Sequence, residues 1–414
     1  MTATDRVPLT ARSAPPMPRR RRWAVLGVVC LSLMVLPLDT TILNVALPTL
    51  ARHFQADNSA LQWMVDAYTL VLAGLLLTAG SLGDRYGRRR CLTIGLVVFG
   101  ASSIASALAG SSAQLTATRA VMGIGAAFIM PATLSIITDV FTVASERAMA
   151  ISVWASVGAL GIGLGPLAGG WLLQHYYWGS IFLVNVPVVI VAVVGGRLLI
   201  PESRDPRAFR LDAVGAVLSL GGLSALLFAI IEGPSTGWSS PQITAAFMAG
   251  AVAMGGFVIW ERRVEELMLD LRFFRNPRFT AASAAISAVF FGLFSLMFVL
   301  TQVLQSVLDY DTLEAGVRVL PLSLMLIVVA PLSARAASVV GTKAVVALGL
   351  FTLAAGLWVA STFGQESGYG LLAVAITLAG IGIDAPWPRR RSRSWAPCPG
   401  PRRASARPST TPRA

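Results

Sequence analysis

Along most of the chain the apolar positions form unbroken runs of about twenty residues, the length that crosses a bilayer core as a helix. Stretches such as "VDAYTLVLAGLLLTAG" and "CLTIGLVVFGASSIASALAG" carry no polar stripe that could face water. Charge and turn residues interrupt the runs at intervals and predict helices near 23–50, 60–82, 91–110, 113–138, 147–172 and 180–200. A second set is predicted near 211–231, 242–261, 279–305, 315–337 and 343–362, with a last, incomplete span starting near 369. In lipid every backbone polar group must be satisfied within the segment, so repeated runs of this length predict a bundle of helices. The short alternating segments of a membrane β-barrel are missing. The chain reads as an all-α polytopic membrane protein.

The polar connections alternate in character. One set carries the basic residues: the N-terminus, "DRYGRRR", "TVASERAMA", "PESRDPRAFR", "ERRVEELMLDLRFFRNPRF" and "ARAASVVGTK". The other set, which runs from "ARHFQADNSA" through "AGSSAQ" to "FGQESGYG", holds one arginine, Arg52. The positive-inside rule puts the first set and the N-terminus in the cytoplasm.

Composition agrees. Charged residues make up 13% of the 414 positions and the mean hydropathy is +0.70, about half the charge of a soluble domain. Cys30, Cys91 and Cys398 lie far apart, and His53 and His175 both fall in connections, so neither a disulfide framework nor a zinc or haem site is expected. The basic "RRRR" at 19–22 precedes an apolar run too long for a signal peptide, and it reads as the start of an uncleaved first helix. No phosphate-binding G-x-x-x-x-G-K-[ST] loop occurs, nor an H-E-x-x-H or Ser/His/Asp arrangement. Cofactors are therefore not expected, and an enzyme is the remote reading.

Several polar residues stand where polarity is costly. Asp39 lies inside the first span, where a charged carboxylate costs from roughly +2.5 to more than +10 kcal/mol at the bilayer centre. Desolvation penalises its ionised form, which suits a group that gains and loses a proton; otherwise it is a structural acid bonded to Thr41 or Asn44. Asp66 is a second candidate, near the external end of helix 2, with an interfacial acid in water as the alternative. Arg119, early in the fourth span, is either a buried partner for a carboxylate or an arginine snorkelling to the interface. In "GALGIGLGPLAGG" the residues Gly161, Gly165 and Gly169 share one helical face, which lets two backbones approach closely, and Pro166 removes an amide. Trp63, Trp154, Trp178 and Trp238 read mostly as interface anchors and packing.

The loop "GSLGDRYGRRR" holds Gly80, Leu82, Asp84, Arg85, Gly87, Arg88 and Arg89, with Leu92 following, and matches G-x-L-x-D-R-x-G-R-[RK]-x-x-L. It resembles the loop between helices 2 and 3 of major facilitator superfamily transporters. "LDTTILNVALPTL", "LTATRAVMGIGAAFIMP", "GIGLGPLAGG" (Gly161, Gly165, Pro166, Gly169, Gly170) and "WGSIFLVNVP" further resemble the fourteen-helix drug:proton antiporter family, and the similarity runs from about 23 to 383. The second half echoes the loop faintly at Gly341 and Lys343, with Ser338 where Asp84 would be.

The resemblance implies a major facilitator fold of two six-helix halves with two intervening helices and the last helices missing. The segments would be a basic cytoplasmic stretch 1–22, an N-terminal bundle 23–200, two intervening helices 211–261 and an incomplete C-terminal bundle 279–383. It implies proton-coupled export of hydrophobic or cationic drug-like molecules across a bacterial inner membrane, with the lipid bilayer, small-molecule substrate and protons as partners, no nucleic acid and no obligate protein partner. Asp39, Asp66 and Arg119 would couple protons; Gly80, Asp84, Arg85, Gly87, Arg88 and Arg89 would form a cytoplasmic latch; the Gly161–Gly170 face would mark an exporter. A dedicated exporter of one metabolite or antibiotic, or an inactive remnant, are the alternatives. After "LAGIGID" the text turns to Arg, Pro, Ala and Ser: eight arginines and no acid in 389–414, the signature of GC-rich coding DNA read out of frame. Residues 384–414 are therefore expected to be a basic, disordered tail from a frameshift or truncation.

Overall fold

A computed structural model describes residues 17–204, 212–264, 275–364 and 368–384. The N-terminal segment to residue 16, parts of two basic loops and the basic tail from 385 onward lie outside the described residues. The helices are α1 (Arg19–Phe54), α2 (Asn58–Tyr86), α3 (Arg88–Ala107), α4 (Ser112–Val140), α5 (Ala144–His175), α6 (Ser180–Leu183), α7 (Asn185–Leu199), α8 (Ala213–Thr236) and α9 (Pro241–Glu261). They continue with α10 (Pro277–Gln302), which runs on as a π-turn over Val303–Val307, then α11 (Thr312–Val339), α12 (Thr342–Ser361) and α13 (Tyr369–Asp384). Among the described residues ten helices are long and apolar enough to cross a membrane, with α6 and α7 counted as one span over 180–199. The chain is a multi-pass, all-helical membrane protein.

Helix starts follow capping chemistry. Asp57, Asp212, Ser240 and Asp311 each accept a hydrogen bond from the backbone amide three residues on, at α2, α8, α9 and α11. At α4, Ser111 caps the Gln114 amide while the Gln114 side chain accepts from the Gly110 amide. α1 starts at Pro18 without a side-chain cap and covers 19–54, where hydropathy alone marked 23–50.

Two apolar clusters form. One is built from α1, α3, α4 and α7 with parts of α2 and α5, around Leu43, Leu47, Phe99, Met122 and Ile129. The other is built from α10 to α13, around Leu293, Leu322, Leu353 and Ile376. Helices α8 and α9 pack on each other through Gly222 and Gly250, and α8 docks on α2, where Leu220 lies against Gly74. Ser59 donates to the Ile231 carbonyl at 3.2 Å and Trp63 Nε1 donates to Glu232 at 3.0 Å across the same seam. Trp154 likewise bonds Thr133 at 3.3 Å, so these two tryptophans tie helices together rather than only anchoring an interface.

The two clusters are joined through α1, α5, α10 and α11. Gly170 lies against the backbone of Thr312 and Leu313, and Gly316 against the Pro166 carbonyl. Gln305 Nε2 donates to the Val45 carbonyl at 2.8 Å, and Gln174 reaches Asp311 at 3.4 Å. All these contacts sit at the end where α1 and α5 finish and α11 starts. Beside them, a cavity of about 580 Å³ opens between Arg52, Asp57 and Asn58 on one side and Gln302, Gln305 and Asp309 on the other.

Candidate functional site

The first arrangement is polar and fully buried inside the α1–α7 cluster. Asp39 sits mid-way along α1 with 2% of its surface exposed, and Arg119 of α4 with none. One guanidinium nitrogen, Nη1, is ion-paired with Asp39 Oδ2. Nε donates to the Met64 carbonyl of α2 at 3.1 Å, and the guanidinium carbon stands 4.5 Å from the centre of the Tyr68 ring. The second Asp39 oxygen accepts from Asn185 Nδ2 of α7 at 2.8 Å. Asn185 is itself fully buried and reaches Ser103 of α3 at 3.5 Å. Asp39 of α1 is thus bonded from α4 and α7, and α2 and α3 hold those two partners.

Arg119 does not snorkel to an interface. Asp39 is not held by its neighbours either: Thr41 turns to the Pro37 carbonyl at 2.7 Å and Asn44 to the Thr40 carbonyl at 3.0 Å. Asp66 stands apart from this group. Met64 and Tyr68 are four residues apart and share the face of α2 turned to Arg119, whereas Asp66, two residues from each, points to the opposite face. It is half-buried there. Asn185 had no chemical signature in the sequence beyond its place in "WGSIFLVNVP".

The second arrangement is the belt at the basic end. Gly87 takes φ +117°, a conformation that side chains strongly disfavour, and so separates α2 from α3 by a single residue. A Cβ there would also overlap the Glu202 carboxylate. Arg88 bonds Asp84 across this turn at 2.8 Å and forms a second ion pair with Asp139 near the end of α4. Its amide donates to the Ser203 carbonyl at 3.1 Å. Arg89 and Arg90 both face Glu202, beyond α7, at 3.4 and 3.6 Å. Arg22 of α1 pairs with Glu146 of α5 at 2.6 Å. The belt therefore ties α1 to α5 and α2, α3, α4 and α7 to one another.

The residues expected to form the latch make different contacts. Arg85 is exposed and stacks on the neighbouring Tyr86 ring at 5.6 Å rather than joining the ion pairs. Arg89 pairs with Glu202. Gly80 meets Pro131 only at ordinary contact distance, 3.6 Å from an added Cβ, so its lack of a side chain is not required by packing. Asp139 and Glu202, which complete the belt, were not foreseen; each is a lone acid near a helix end with no pattern to single it out. The faint echo in the second half is structural as well: Gly341 takes φ +90° between α11 and α12, as Gly87 does between α2 and α3.

The third arrangement is the glycine face of α5. A Cβ at Gly161 would meet Pro37 Cγ at 2.8 Å and the Met34 carbonyl at 3.0 Å, and one at Gly165 would overlap the Thr41 hydroxyl. Gly169 faces Ile42 at 3.3 Å. Three glycines in line thus let α5 lie directly on α1 beside Asp39, while Gly170 and Pro166 turn to α11.

Helices in this order, with a buried acid–arginine pair and a single-residue glycine turn in a charged belt, define a membrane carrier of two packed bundles. The family model "Major Facilitator Superfamily" matches residues 29–388, and the chain belongs to that superfamily. It is 36% identical over 353 residues to the multidrug resistance protein Stp of Mycobacterium tuberculosis, which covers 85% of this chain and 66% of that protein. It is 35% identical over 382 residues to the multidrug efflux pump LfrA of Mycolicibacterium smegmatis, covering 92% of this chain and 75% of LfrA. The tetracenomycin C resistance and export protein of Streptomyces glaucescens is 34% identical over 367 residues, 88% of this chain and 68% of that one. The chain thus spans about two thirds to three quarters of the length of these relatives. A crystal structure of the peptide transporter POT shares the fold with TM-score 0.64 at 18% identity, over 90% of this chain and 83% of that one.

Proposed function

We propose that the chain is a proton-coupled exporter of small hydrophobic or cationic molecules in the bacterial inner membrane, with its N-terminus in the cytoplasm. The observation that carries this reading is the Asp39–Arg119 pair. Two opposite charges with at most 2% exposure are an expensive way to hold α1 on α4, since a buried ion pair stabilises no more than well-packed apolar side chains would. Such a pair is useful where one partner must change charge. Protonation of Asp39 frees Arg119 from its ion-pair partner and so changes the force between two helices. The relatives are named for drug resistance and export, which supports a small-molecule substrate and an outward direction. Members of the superfamily are carriers rather than enzymes.

The orientation rests on the basic belt, by the positive-inside rule. With the belt in the cytoplasm, the contacts of Gly170, Gln174 and Gln305 lie at the external end. Asp66 is the second proposed protonatable site. It is half-buried on the face of α2 turned away from Arg119.

The test is efflux of the cationic dye ethidium from cells making the full 414-residue chain. Export should stop with a protonophore, and Asp39→Asn should abolish it while the protein still inserts in the membrane. Normal efflux by Asp39→Asn would remove Asp39 from the mechanism, and efflux that ignores the protonophore would remove proton coupling. A dedicated exporter of one antibiotic is the second reading, favoured by the tetracenomycin C exporter among the relatives. Protection against many unrelated dyes would exclude it. No dye or antibiotic efflux at all would favour an inactive remnant.

A further inference from the structure

Asp39 has a second partner besides Arg119, and that partner is an amide. A carboxylate has no proton to donate, so the 2.8 Å contact from Asn185 fixes which side of the amide faces Asp39: Nδ2 donates to Oδ1. The other amide atom, Asn185 Oδ1, is buried without a hydrogen-bond partner among the described residues. An idle buried acceptor is costly in an apolar setting. A structural role alone would be met as well by a side chain with no idle acceptor. An amide differs from other clamps in offering a donor and an acceptor of nearly equal shape.

We propose that Asn185 is the protonation-state partner of Asp39. It donates through Nδ2 while Asp39 is ionised, and after a proton adds to Asp39 Oδ1 its amide turns by half a rotation so that Asn185 Oδ1 accepts from the new O–H. No bond other than that O–H forms or breaks. The acid is then hydrogen-bonded to the amide in both states, and the idle amide position is the same before and after the turn. Ser103, within 3.5 Å of the amide nitrogen, can donate or accept and so tolerates either orientation. The titratable and charged groups that face Asp39 are Arg119 from α4 and Tyr68 from α2; α7 contributes Asn185, α3 contributes Ser103, and α5 presents its glycines. Asn185 is thus a positioning residue, and its role rests on the proton-coupling reading of Asp39.

The experiment is infrared difference spectroscopy of the full chain in lipid vesicles, acid minus alkaline, with and without isotope-labelled asparagine. In the wild type a carboxylic acid band assigned to Asp39 by its loss in Asp39→Asn should rise together with a shift of a label-sensitive asparagine carbonyl band. That second band should vanish in Asn185→Leu, and ethidium export by this variant should fall about tenfold or more. Asn185→Ser, smaller but still both donor and acceptor, should recover part of the export and serves if Asn185→Leu does not insert. An Asp39 band that titrates with no asparagine band moving would overturn the role of Asn185 and leave the proton-coupling reading standing. Absence of any Asp39 band would overturn both.

Discussion

Arg119 is ion-paired with Asp39, a residue eighty positions earlier in the chain, at a point where neither side chain touches water. The pair joins the fourth helix to the first through atoms that would each be prohibitively costly to bury alone.

The two residues should therefore fail unequally when changed singly. Arg119→Met leaves a carboxylate unpaired in an apolar cluster, and we expect it to destabilise the purified protein by about 3–5 kcal/mol. The double change Asp39→Asn with Arg119→Met should regain much of that loss. Thermal unfolding in detergent, run as a double-mutant cycle, measures the coupling. Equal and additive losses would show that the pair is not energetically linked.

Gly165 of α5 and Gly27 of α1 differ in what an added methyl group would meet. Gly165→Ala should reduce the monodisperse folded fraction on size exclusion, because its Cβ would overlap Thr41 of α1. Gly27→Ala, with nothing within 4 Å, should be neutral or slightly stabilising, as alanine favours a helix by up to about 1 kcal/mol over glycine.

The two glycine turns offer a matched comparison. Gly341→Ala forces a side chain into positive φ in open space and should cost about 1–2 kcal/mol. Gly87→Ala incurs the same strain and also displaces the Glu202 carboxylate, so its melting temperature should fall further. Glu202→Ala in the Gly87→Ala background should recover part of the difference, while an unchanged melting temperature would exclude the steric account.

Within the basic belt the arginines are not equivalent. Arg88→Ala removes the partner of both Asp84 and Asp139, and ethidium efflux by this variant should drop sharply. Arg85→Ala, on an exposed side chain outside the ion pairs, should change stability by less than about 0.5 kcal/mol. Similar effects from the two would argue for a loop that acts through charge alone.

The spans, their alternating loops and the turn at Gly87 are legible from residue order, because hydropathy, capping and φ preference are properties of a few adjacent residues. The glycine face of α5 is legible for the same reason: spacing of four places Gly161, Gly165 and Gly169 in line, whatever they pack against. What covers that face, and which acids serve which arginines, depends on how helices far apart in the chain come to lie side by side. Residue order leaves Arg119 either buried or snorkelling, and the contact of α4 with α1 buries it. Asn185, 146 residues from Asp39, and Asp139, on the far end of α4 from Arg119, carry no local pattern at all. Asp66 shows the converse: a carboxylate in an apolar run, matching Asp39 in its surroundings, that helix rotation turns away from the arginine. Residue order determines that polar groups stand within apolar runs, because that is a property of neighbours in the chain; packing of distant helices decides which of them are buried and which of them meet.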